Sequence, residues 1–338
     1  MEKSVLDAMM RGSKSFVDMN MLLVAAGRRI AKITQNEAAY ITPGCASAIT
    51  LSILALGELD TSKSKDEVLI DHSHRIPYDQ AITFAGKKII EFGDTGKRSE
   101  NDLLEAINEK TLAIFWVAGS YVGDSALDLI STIRLAKVHN VPVIVDAAAQ
   151  LPPVSNLSYF TTTCGADIVL FSGGKALRGP QSTGLILGSS KIIEIAAKLA
   201  APNQSIARSF KVGKEEIFGI LQAIENYVEL DHVQQLEIWE ANCTEIILEL
   251  SKIPGVSGKK MELNQAGQPI PRVQIEFNEI FPTNIEQEIY SYLIESNPSI
   301  VLDFDQSLFI SPDMLEIGEI RIVLIALNDA IAKLVSNT

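Results

Sequence analysis

Residues 167–181 read DIVLFSGGKALRGPQ, a short apolar run followed by a glycine-bearing loop. The run is one of several β-branched segments that alternate with helical stretches over 67–188, and this alternation is typical of βαβ units. It predicts an α/β protein with a mostly parallel sheet. The predicted strands are EVLID (67–71), KKIIEF (87–92), LAIFWVA (112–118), VPVIVD (141–146), DIVLF (167–171) and TGLILG (183–188).

The helical stretches suggest how the chain is organised. A crossover helix is predicted over 125–140, where apolar residues recur near helical spacing. Beyond the last predicted strand the helical pattern dominates, and it includes a long, charged, amphipathic run over 214–253. We therefore predict a large domain, a connecting helical region and a small C-terminal α+β domain. Their predicted bounds are 1–205, 206–250 and 251–338.

The composition is that of an acidic, compact protein. The 338 residues carry a net charge of -13, with a pI near 4.9. Binding along a nucleic-acid backbone requires a basic surface, so nucleic acid is not an expected partner. A local basic pocket for one phosphate is compatible with this charge.

Cysteine usage and hydropathy favour a cytoplasmic protein without a membrane span. Cys45, Cys164 and Cys243 are odd in number and far apart, so they predict neither a disulfide framework nor paired metal ligands. Two uncharged stretches, 38–57 and 147–166, have the length of a spanning helix, but prolines interrupt both.

Lys175 follows a predicted strand, and ligands of an open parallel sheet lie at the carboxyl ends of its strands. An amine held there behind Ser172 and Gly174 can lose hydration and form a Schiff base with a carbonyl. We expect the glycines of this loop to leave room for a ligand. The alternative is an ordinary surface lysine. A GxxxxGK nucleotide loop is excluded, because Ala176 follows the lysine where Ser or Thr is required.

Asp146 ends the apolar run VPVIVD. A carboxylate is costly to bury unless a cation or a hydrogen-bond donor meets it, so the residue indicates a helix cap, a satisfied core acid or a ligand contact. Together with Lys175 it matches two requirements of pyridoxal phosphate, an amine for the aldehyde and a partner for the pyridinium nitrogen. Ala147 and Ala148 would leave space for a flat ring.

The segment ITPGCASAITL, at 41–51, supplies a third feature. Gly44 precedes an uncharged helix whose first residues, Cys45 and Ala46, would offer unpaired backbone N–H groups to a phosphate. The alternative is an ordinary buried helix. The prediction of a phosphate site rests only on its agreement with the roles predicted for Lys175 and Asp146.

The histidines suggest a different class of site. His72 and His74 form an HxH pair after a strand, as in metal-dependent hydrolases, but such a site needs further histidines at later strand ends. His139 and His232 lie in predicted helices instead. No metal is therefore expected. His74 would either stack on a cofactor ring or begin a loop as an ordinary polar residue.

Four basic residues are candidates for contacts with an anionic substrate. Arg178 shares the loop of Lys175 and would clamp a carboxylate or phosphate. Arg208, Lys211 and Lys214 recur every three residues, which on a helical turn would place them on one side. Such a charge run is also typical of a solvated face.

These features together resemble the fold-type I pyridoxal-phosphate enzymes, in the branch related to bacterial seryl-tRNA selenium transferase and D-glucosaminate-6-phosphate ammonia-lyase. The resemblance spans essentially the whole chain. The segments that carry it are ITPGCASAITL, SHRIPYDQAI, VPVIVDAAAQLPP, VLFSGGKALRGPQSTGLILG and ARSFKVGKEEIFGILQAIENY.

The resemblance implies roles for individual residues. Lys175 would bind the cofactor covalently and then move the α-proton of the substrate, while Asp146 would keep the pyridine nitrogen protonated. Ser172 and the backbone at Cys45 and Ala46 would hold the phosphate. The family builds its site at a subunit interface, so the resemblance also implies a homodimer or a larger homo-oligomer.

Two departures from the family pattern bear on the substrate. Relatives usually begin with an additional segment that helps to form the active site, whereas Met1 lies almost at the predicted helix VLDAMM. The tRNA-handling selenium transferases also carry an extra N-terminal helical domain. With the acidic charge, these differences disfavour selenocysteine synthesis on tRNA.

We therefore expect a cytoplasmic, pyridoxal-phosphate-dependent lyase. Its substrate would be a small, anionic amino acid or amino-sugar acid that loses ammonia or a β-substituent, and the basic residues favour a phosphorylated one. The same cofactor supports racemases, aminotransferases and selenium transferases, so the reaction type stays open. A non-catalytic relative that retains the fold is the alternative from another class.

Overall fold

A computed structural model describes residues 1–94, 96, 98–120 and 126–336. The chain divides into two compact units, with the boundary between Leu230 and Asp231. This boundary falls inside the region that we predicted to connect two domains. The predicted domain limits at 205 and 250 themselves stay a prediction.

The first unit is built on one sheet. Its strands are β1 (Ala38–Thr42), β2 (Glu67–Asp71), β3 (Lys88–Phe92), β4 (Thr111–Val117), β5 (Val143–Asp146), β6 (Ile168–Ser172) and β7 (Gly184–Gly188). In the described chain their order is β1-β7-β6-β5-β4-β2-β3. Strands β2 to β6 pair in parallel, and β7 runs antiparallel to both β6 and β1. The sheet is therefore mostly parallel, as predicted.

Helices cover both faces of this sheet. They are α1 (Lys3–Ser13), α2 (Met19–Thr34), α3 (Cys45–Leu59), α4 (Gln80–Phe84), α5 (Glu100–Ala106), α6 (Leu129–Val138), α7 (Asn156–Ser158), α8 (Ser190–Leu199) and α9 (Lys214–Glu229). Successive side chains of a strand point to opposite faces. Accordingly, Val143 and Val145 of β5 enter a core with α2, α6 and α9, whereas Ile144 enters a core with α3 and α8.

Strand β1 was not predicted, because its residues belong to the uncharged stretch 38–57. That stretch divides into β1, a turn at Gly44 and the buried helix α3. Among the described residues, no helix is both long and apolar enough to cross a membrane.

The second unit is a small α+β fold, as predicted. Its elements are α10 (His232–Leu250), β8 (Val256–Met261), β9 (Arg272–Phe277), α11 (Ile285–Glu295), β10 (Asp303–Asp305), β11 (Ser307–Ile310) and α12 (Glu319–Ser336). The strands form an antiparallel sheet in the order β10-β11-β9-β8. Apolar side chains of the three helices pack on this sheet to form a separate core.

The helical run over 214–253 is two helices. Helix α9 ends at Glu229, and the side chain of Asp231 caps α10 by accepting the N–H groups of Val233 and Gln234. An acidic residue in the N-cap position satisfies N–H groups that have no partner within the helix.

Candidate functional site

Three predicted site segments meet at one edge of the large sheet. Asp146 ends β5, Ser172 ends β6, and Gly44 follows β1 by two residues. Gly184 at the start of β7 pairs with both Ser172 and Thr42. The order of the strands therefore brings the predicted carboxylate, the lysine loop and the start of α3 to the same edge.

Asp146 is buried, with 5% of its surface exposed. Its Oδ1 accepts the N–H of Ala148 at 3.0 Å and lies 3.9 Å from the Sγ of Cys45. Burial raises the pKa of the Asp146 carboxyl, against the opposing effects of the Ala148 N–H and the Lys175 ammonium. Burial and the nearby Asp146 also raise the pKa of the Cys45 thiol well above its ordinary value.

Lys175 is exposed on a loop that closes on itself. The N–H of Gly173 donates to the carbonyl of Thr183, and the N–H of Gly179 donates to the carbonyl of Gly173, both at 2.8 Å. The N–H of Arg178 bonds to the Lys175 carbonyl. These bonds fix the backbone that carries the lysine. The ammonium is near enough to Asp146 to act on its ionisation.

Two glycines of this loop make room for the chain itself, and our expectation that the glycines leave room for a ligand stays a prediction. A Cβ on Gly173 would lie 2.1 Å from Thr183 Oγ1, and one on Gly174 would lie 2.7 Å from Gln181 Cα. Gly174 is thus placed in the loop beside Lys175 by a backbone contact, and its predicted contact with a cofactor stays a prediction.

The start of α3 offers free backbone donors. Gly44 has φ of 88° and provides no side-chain cap, and the first intrahelical bond runs from Ala48 N–H to the Gly44 carbonyl. The N–H groups of Cys45, Ala46 and Ser47 precede that bond. A Cβ on Gly44 would meet no atom within 4 Å. This arrangement suits an anion such as a phosphate.

His74 is buried with no exposed surface. Its Nδ1 accepts the N–H of Val117 at 2.8 Å, and its ring meets Trp116 edge-on at a centroid distance of 4.8 Å. The Nε2 is buried and has no hydrogen-bond partner. Burial lowers the pKa of His74 to about 4; nearby Asp71 opposes this effect, and Arg98 adds to it. The ring presents no open face, so stacking on a cofactor stays a prediction.

His72 and His74 do not converge on one point. The His72 ring is exposed, and its Nδ1 lies 2.9 Å from Oε2 of Glu91, a residue of β3. Within residues 1–94, 96, 98–120 and 126–336, no group of three or more His, Cys, Asp or Glu side chains is placed to hold a metal ion.

The four candidate basic residues do not share one helical face. Arg178 is exposed in the Lys175 loop, with φ of 52°. Arg208 and Lys211 lie in an irregular segment before α9, so they do not share a helical face with Lys214. The Lys214 ammonium bonds to the carbonyls of Ser13 and Ser15. Of these four residues, Arg178 is the one whose backbone N–H bonds to the Lys175 carbonyl, which keeps it beside Lys175.

The sequence reasoning missed a buried ion pair near this edge. Arg98 Nε lies 3.1 Å from Asp71 Oδ1, and their side chains are only 1% and 4% exposed. Asp71 also accepts the N–H and hydroxyl of Ser73 and the N–H of Leu127. Asp71 ends the predicted strand EVLID, so its position has a sequence signal. Arg98 lies in a polar segment with no local signal.

The residues at this edge fit pyridoxal phosphate. Asp146 is buried and forms no ion pair in the described part of the chain, so a cation beside it, such as a pyridinium nitrogen, would stabilise its charge. The open N-terminus of α3 would accept the phosphate, and Lys175 supplies an ammonium whose charge lowers the pKa of the Asp146 carboxyl against the effect of burial. Fold and site together define the class of fold-type I pyridoxal-phosphate enzymes.

The comparison with known families agrees with this class. The family model for L-seryl-tRNA selenium transferase matches residues 23–246, so the chain belongs to this family. It is 30% identical to D-glucosaminate-6-phosphate ammonia lyase of Salmonella typhimurium over 289 residues. This aligned region covers 81% of this chain and 74% of that protein. The chain is 29% identical over 286 residues to a 5'-C-glycyluridine monooxygenase-decarboxylase of a Streptomyces species, covering 80% of this chain and 69% of that one.

A solved structure of D-glucosaminate-6-phosphate ammonia-lyase matches with a TM-score of 0.83 and 25% identity, over 98% of this chain and 91% of that one. The predicted family, the fold-type I architecture and the prediction of a pyridoxal-phosphate-dependent enzyme of the lyase and transferase type are therefore confirmed.

Proposed function

We propose that the chain binds pyridoxal phosphate at the edge of its large sheet and eliminates ammonia or a β-substituent from a small, anionic amino acid or amino-sugar acid. The observation that carries the proposal is the buried carboxylate of Asp146, which forms no ion pair in the described chain. The charge of the Lys175 ammonium lowers the pKa of this carboxyl, against the effect of burial. The similarity to an ammonia lyase supports the reaction class.

In the proposed site, each of these residues has a defined role. The cofactor, when bound, supplies the electron sink that makes the α-proton of an amino acid removable. Asp146 would hold the proton of the ring nitrogen, and the Nζ of Lys175 would bind the cofactor and later take the α-proton. The N–H groups of Cys45 and Ala46, with the hydroxyl of Ser172, would hold the phosphate.

The remaining predicted residues would complete this site. Gly44 and Gly174 would shape its two loops, and Ala148 would lie under the ring. His74 would contact the ring only after its covering neighbours moved, because its side chain has no exposed surface. Arg178, Arg208 and Lys211 would bind the anionic groups of the substrate. For Arg208 and Lys211 this requires the irregular segment before α9 to face the site.

The assembly and location are also proposals. A homodimer or larger homo-oligomer would place a second subunit against the exposed Lys175, and the protein would act in the cytoplasm. Other reactions of the cofactor, such as racemisation, transamination or selenium transfer, are the alternatives. A binding protein that retains the fold without catalysis is the alternative from another class.

Product analysis tests the reaction. The purified protein with pyridoxal phosphate is incubated with D- and L-amino acids and with amino-sugar acids, with and without a phosphate, and ammonia and keto acid are measured. We expect equal amounts of both products from one substrate, and none from the Lys175→Ala variant. A keto acid formed only with an added amino acceptor, or a change of stereochemistry without ammonia, would replace the lyase by an aminotransferase or a racemase.

A further inference from the structure

The two oxygens of the Asp146 carboxylate have different surroundings. Oδ1 accepts the N–H of Ala148 at 3.0 Å and lies 3.9 Å from the Sγ of Cys45, within hydrogen-bonding distance for sulfur. No residue that the structure describes donates a hydrogen bond to Oδ2. Each oxygen of a carboxylate has room for two such bonds, so the chain itself fills Oδ1 and leaves Oδ2 for a ligand.

The Cys45 thiol is the donor in its contact with the carboxylate. Burial and the nearby Asp146 raise the pKa of this thiol well above its ordinary value, so it keeps its proton at neutral pH. An S–H group is a weak hydrogen-bond donor. Burial raises the pKa of the Asp146 carboxyl, and the bond from the thiol opposes this effect, as the Ala148 N–H and the Lys175 ammonium do.

The backbone fixes the place of Cys45. Gly44, directly before it, has φ of 88°, and the Gly44 carbonyl accepts the hydroxyl of Thr42 at 2.9 Å and the N–H of Ala48 at 3.2 Å. On the side of β7, a Cβ on Gly184 would lie 2.6 Å from Cys45 N, so that strand begins close against the same turn. The turn and β7 together set the point from which the thiol reaches β5.

We propose that Cys45 is a positioning residue of this site: its S–H donates to Oδ1 of Asp146 and, with the Ala148 N–H, holds the carboxylate so that Oδ2 is left for the ring nitrogen of the cofactor. The inference rests on the proposed function, because it adds a role to a residue whose backbone N–H would bind the phosphate of the same cofactor. Cys45 would then act at both ends of the cofactor, directly through its N–H and through Asp146 by its thiol. The thiol takes no part in proton transfer.

Infrared spectroscopy of the cofactor-free protein tests the contact. The S–H stretching band lies in a clear region of a protein spectrum, and hydrogen bonding lowers its frequency. The band that disappears in Cys45→Ser belongs to Cys45, and it should move to higher frequency in Asp146→Ala, which removes the acceptor. The bands of the other free cysteines, Cys164 and Cys243, should stay in place. A Cys45 band that does not move in Asp146→Ala would overturn the proposal.

The affinity for pyridoxal phosphate tests the role, with visible absorbance as the measure of binding. Cys45→Ala loses the donor and should bind the cofactor roughly fivefold more weakly, in keeping with the modest net effect of one hydrogen bond. Cys45→Ser keeps a donor and should recover most of this loss. A role in packing alone predicts the opposite order, because an unpaired hydroxyl is costlier to bury than a methyl group. Cys164→Ser is the matched control and should leave the affinity unchanged.

The remaining outcomes separate this role from the proposed function. Weaker binding by Cys45→Ser than by Cys45→Ala, or an equal loss in Cys164→Ser, would overturn the hydrogen-bonding role of the thiol. No binding of the cofactor by the unchanged protein would contradict the proposed function, and the role toward a ring nitrogen would fall with it. The infrared bands distinguish these failures, because they report the contact between Cys45 and Asp146 without any cofactor.

Discussion

The buried carboxylate of Asp146, when ionised, lowers the free energy of unfolding, because burial disfavours its charged form and raises its pKa. An acid whose pKa is raised on folding contributes most to stability at low pH, and this contribution is lost as the pH rises from 3.8 through the raised value. Burial therefore opposes the ionised form of Asp146, which is what a residue needed for a ligand would show.

The Asp146→Asn variant separates these two effects. Without cofactor at pH 7, we expect its melting temperature to equal or exceed that of the unchanged protein, because a buried acid whose ionisation opposes folding is removed. With cofactor, we expect turnover to fall roughly a hundredfold or more, as for the loss of one group that stabilises charge in a site. A strongly destabilised ligand-free variant would show that Asp146 is a structural acid instead.

His74 should make the stability of the protein depend on pH. Its pKa is lowered to about 4, so the fold favours the neutral ring. For a base this stability is fully present above about pH 6.5, the ordinary value, and is lost as the pH falls toward 4. A shift of this size corresponds to about 3 kcal/mol.

Denaturant unfolding between pH 7 and 4.5 measures this effect. The His74→Gln variant keeps an acceptor for the Val117 N–H but does not titrate, so its free energy of unfolding should fall less over this range. Equal pH dependence in both proteins would mean that other groups cause it.

Part of the candidate site has a sequence signal, because a rule on strand ends applies to it. Lys175 and Asp146 are candidates because each lies at or just after the end of an apolar run, and the structure brings their segments to one edge. The thiol of Cys45 and the partner of Asp71, Arg98, were not identified, because their contacts join segments far apart in the chain.

At the scale of elements, the start of β7 can approach the start of α3 closely because residue 184 is a glycine. A Cβ on Gly184 would lie 2.4 Å from Gly44 C and 2.6 Å from Cys45 N. Gly184→Ala should therefore displace the first turn of α3 and weaken cofactor binding, and it should destabilise the fold by about 1–3 kcal/mol, as overpacking does.

Gly57→Ala is the matched control. Gly57 lies in α3, the helix that Gly184 approaches, and a Cβ on Gly57 would meet only the flexible end of Lys87, at 3.4 Å. It should leave cofactor affinity unchanged and stabilise α3 by about 0.5–1 kcal/mol. Titration of both variants with pyridoxal phosphate, together with unfolding curves, checks the pair. Equal affinities in the two variants would contradict the role of Gly184.

The predicted strands of the large sheet were correct because buried parallel strands are continuous apolar runs. Strand β1 was hidden in a longer uncharged stretch, and β8 was hidden because its sequence VSGKKM is largely polar. A lysine-rich edge strand has little apolar signal. The break before α10 did have a signal, since Asp231 is an N-cap residue.

For the whole molecule, the charge of -13 predicts weak interaction with polyanions. We expect no complex with bulk tRNA in a gel-shift experiment at physiological salt, and only weak, salt-sensitive binding below it. A complex that survives physiological salt would restore a tRNA-linked activity as a candidate. The prediction that nucleic acid is no partner would then be wrong.

The central claim is that Lys175 binds pyridoxal phosphate beside Asp146, and an absorbance spectrum tests it most directly. The protein incubated with the cofactor should show the visible band of a lysine-bound aldehyde, and borohydride should abolish the band and leave the cofactor attached to the peptide that contains Lys175. In Lys175→Ala both the band and the attachment should be lost. No band after incubation, or attachment to another lysine, would contradict the account.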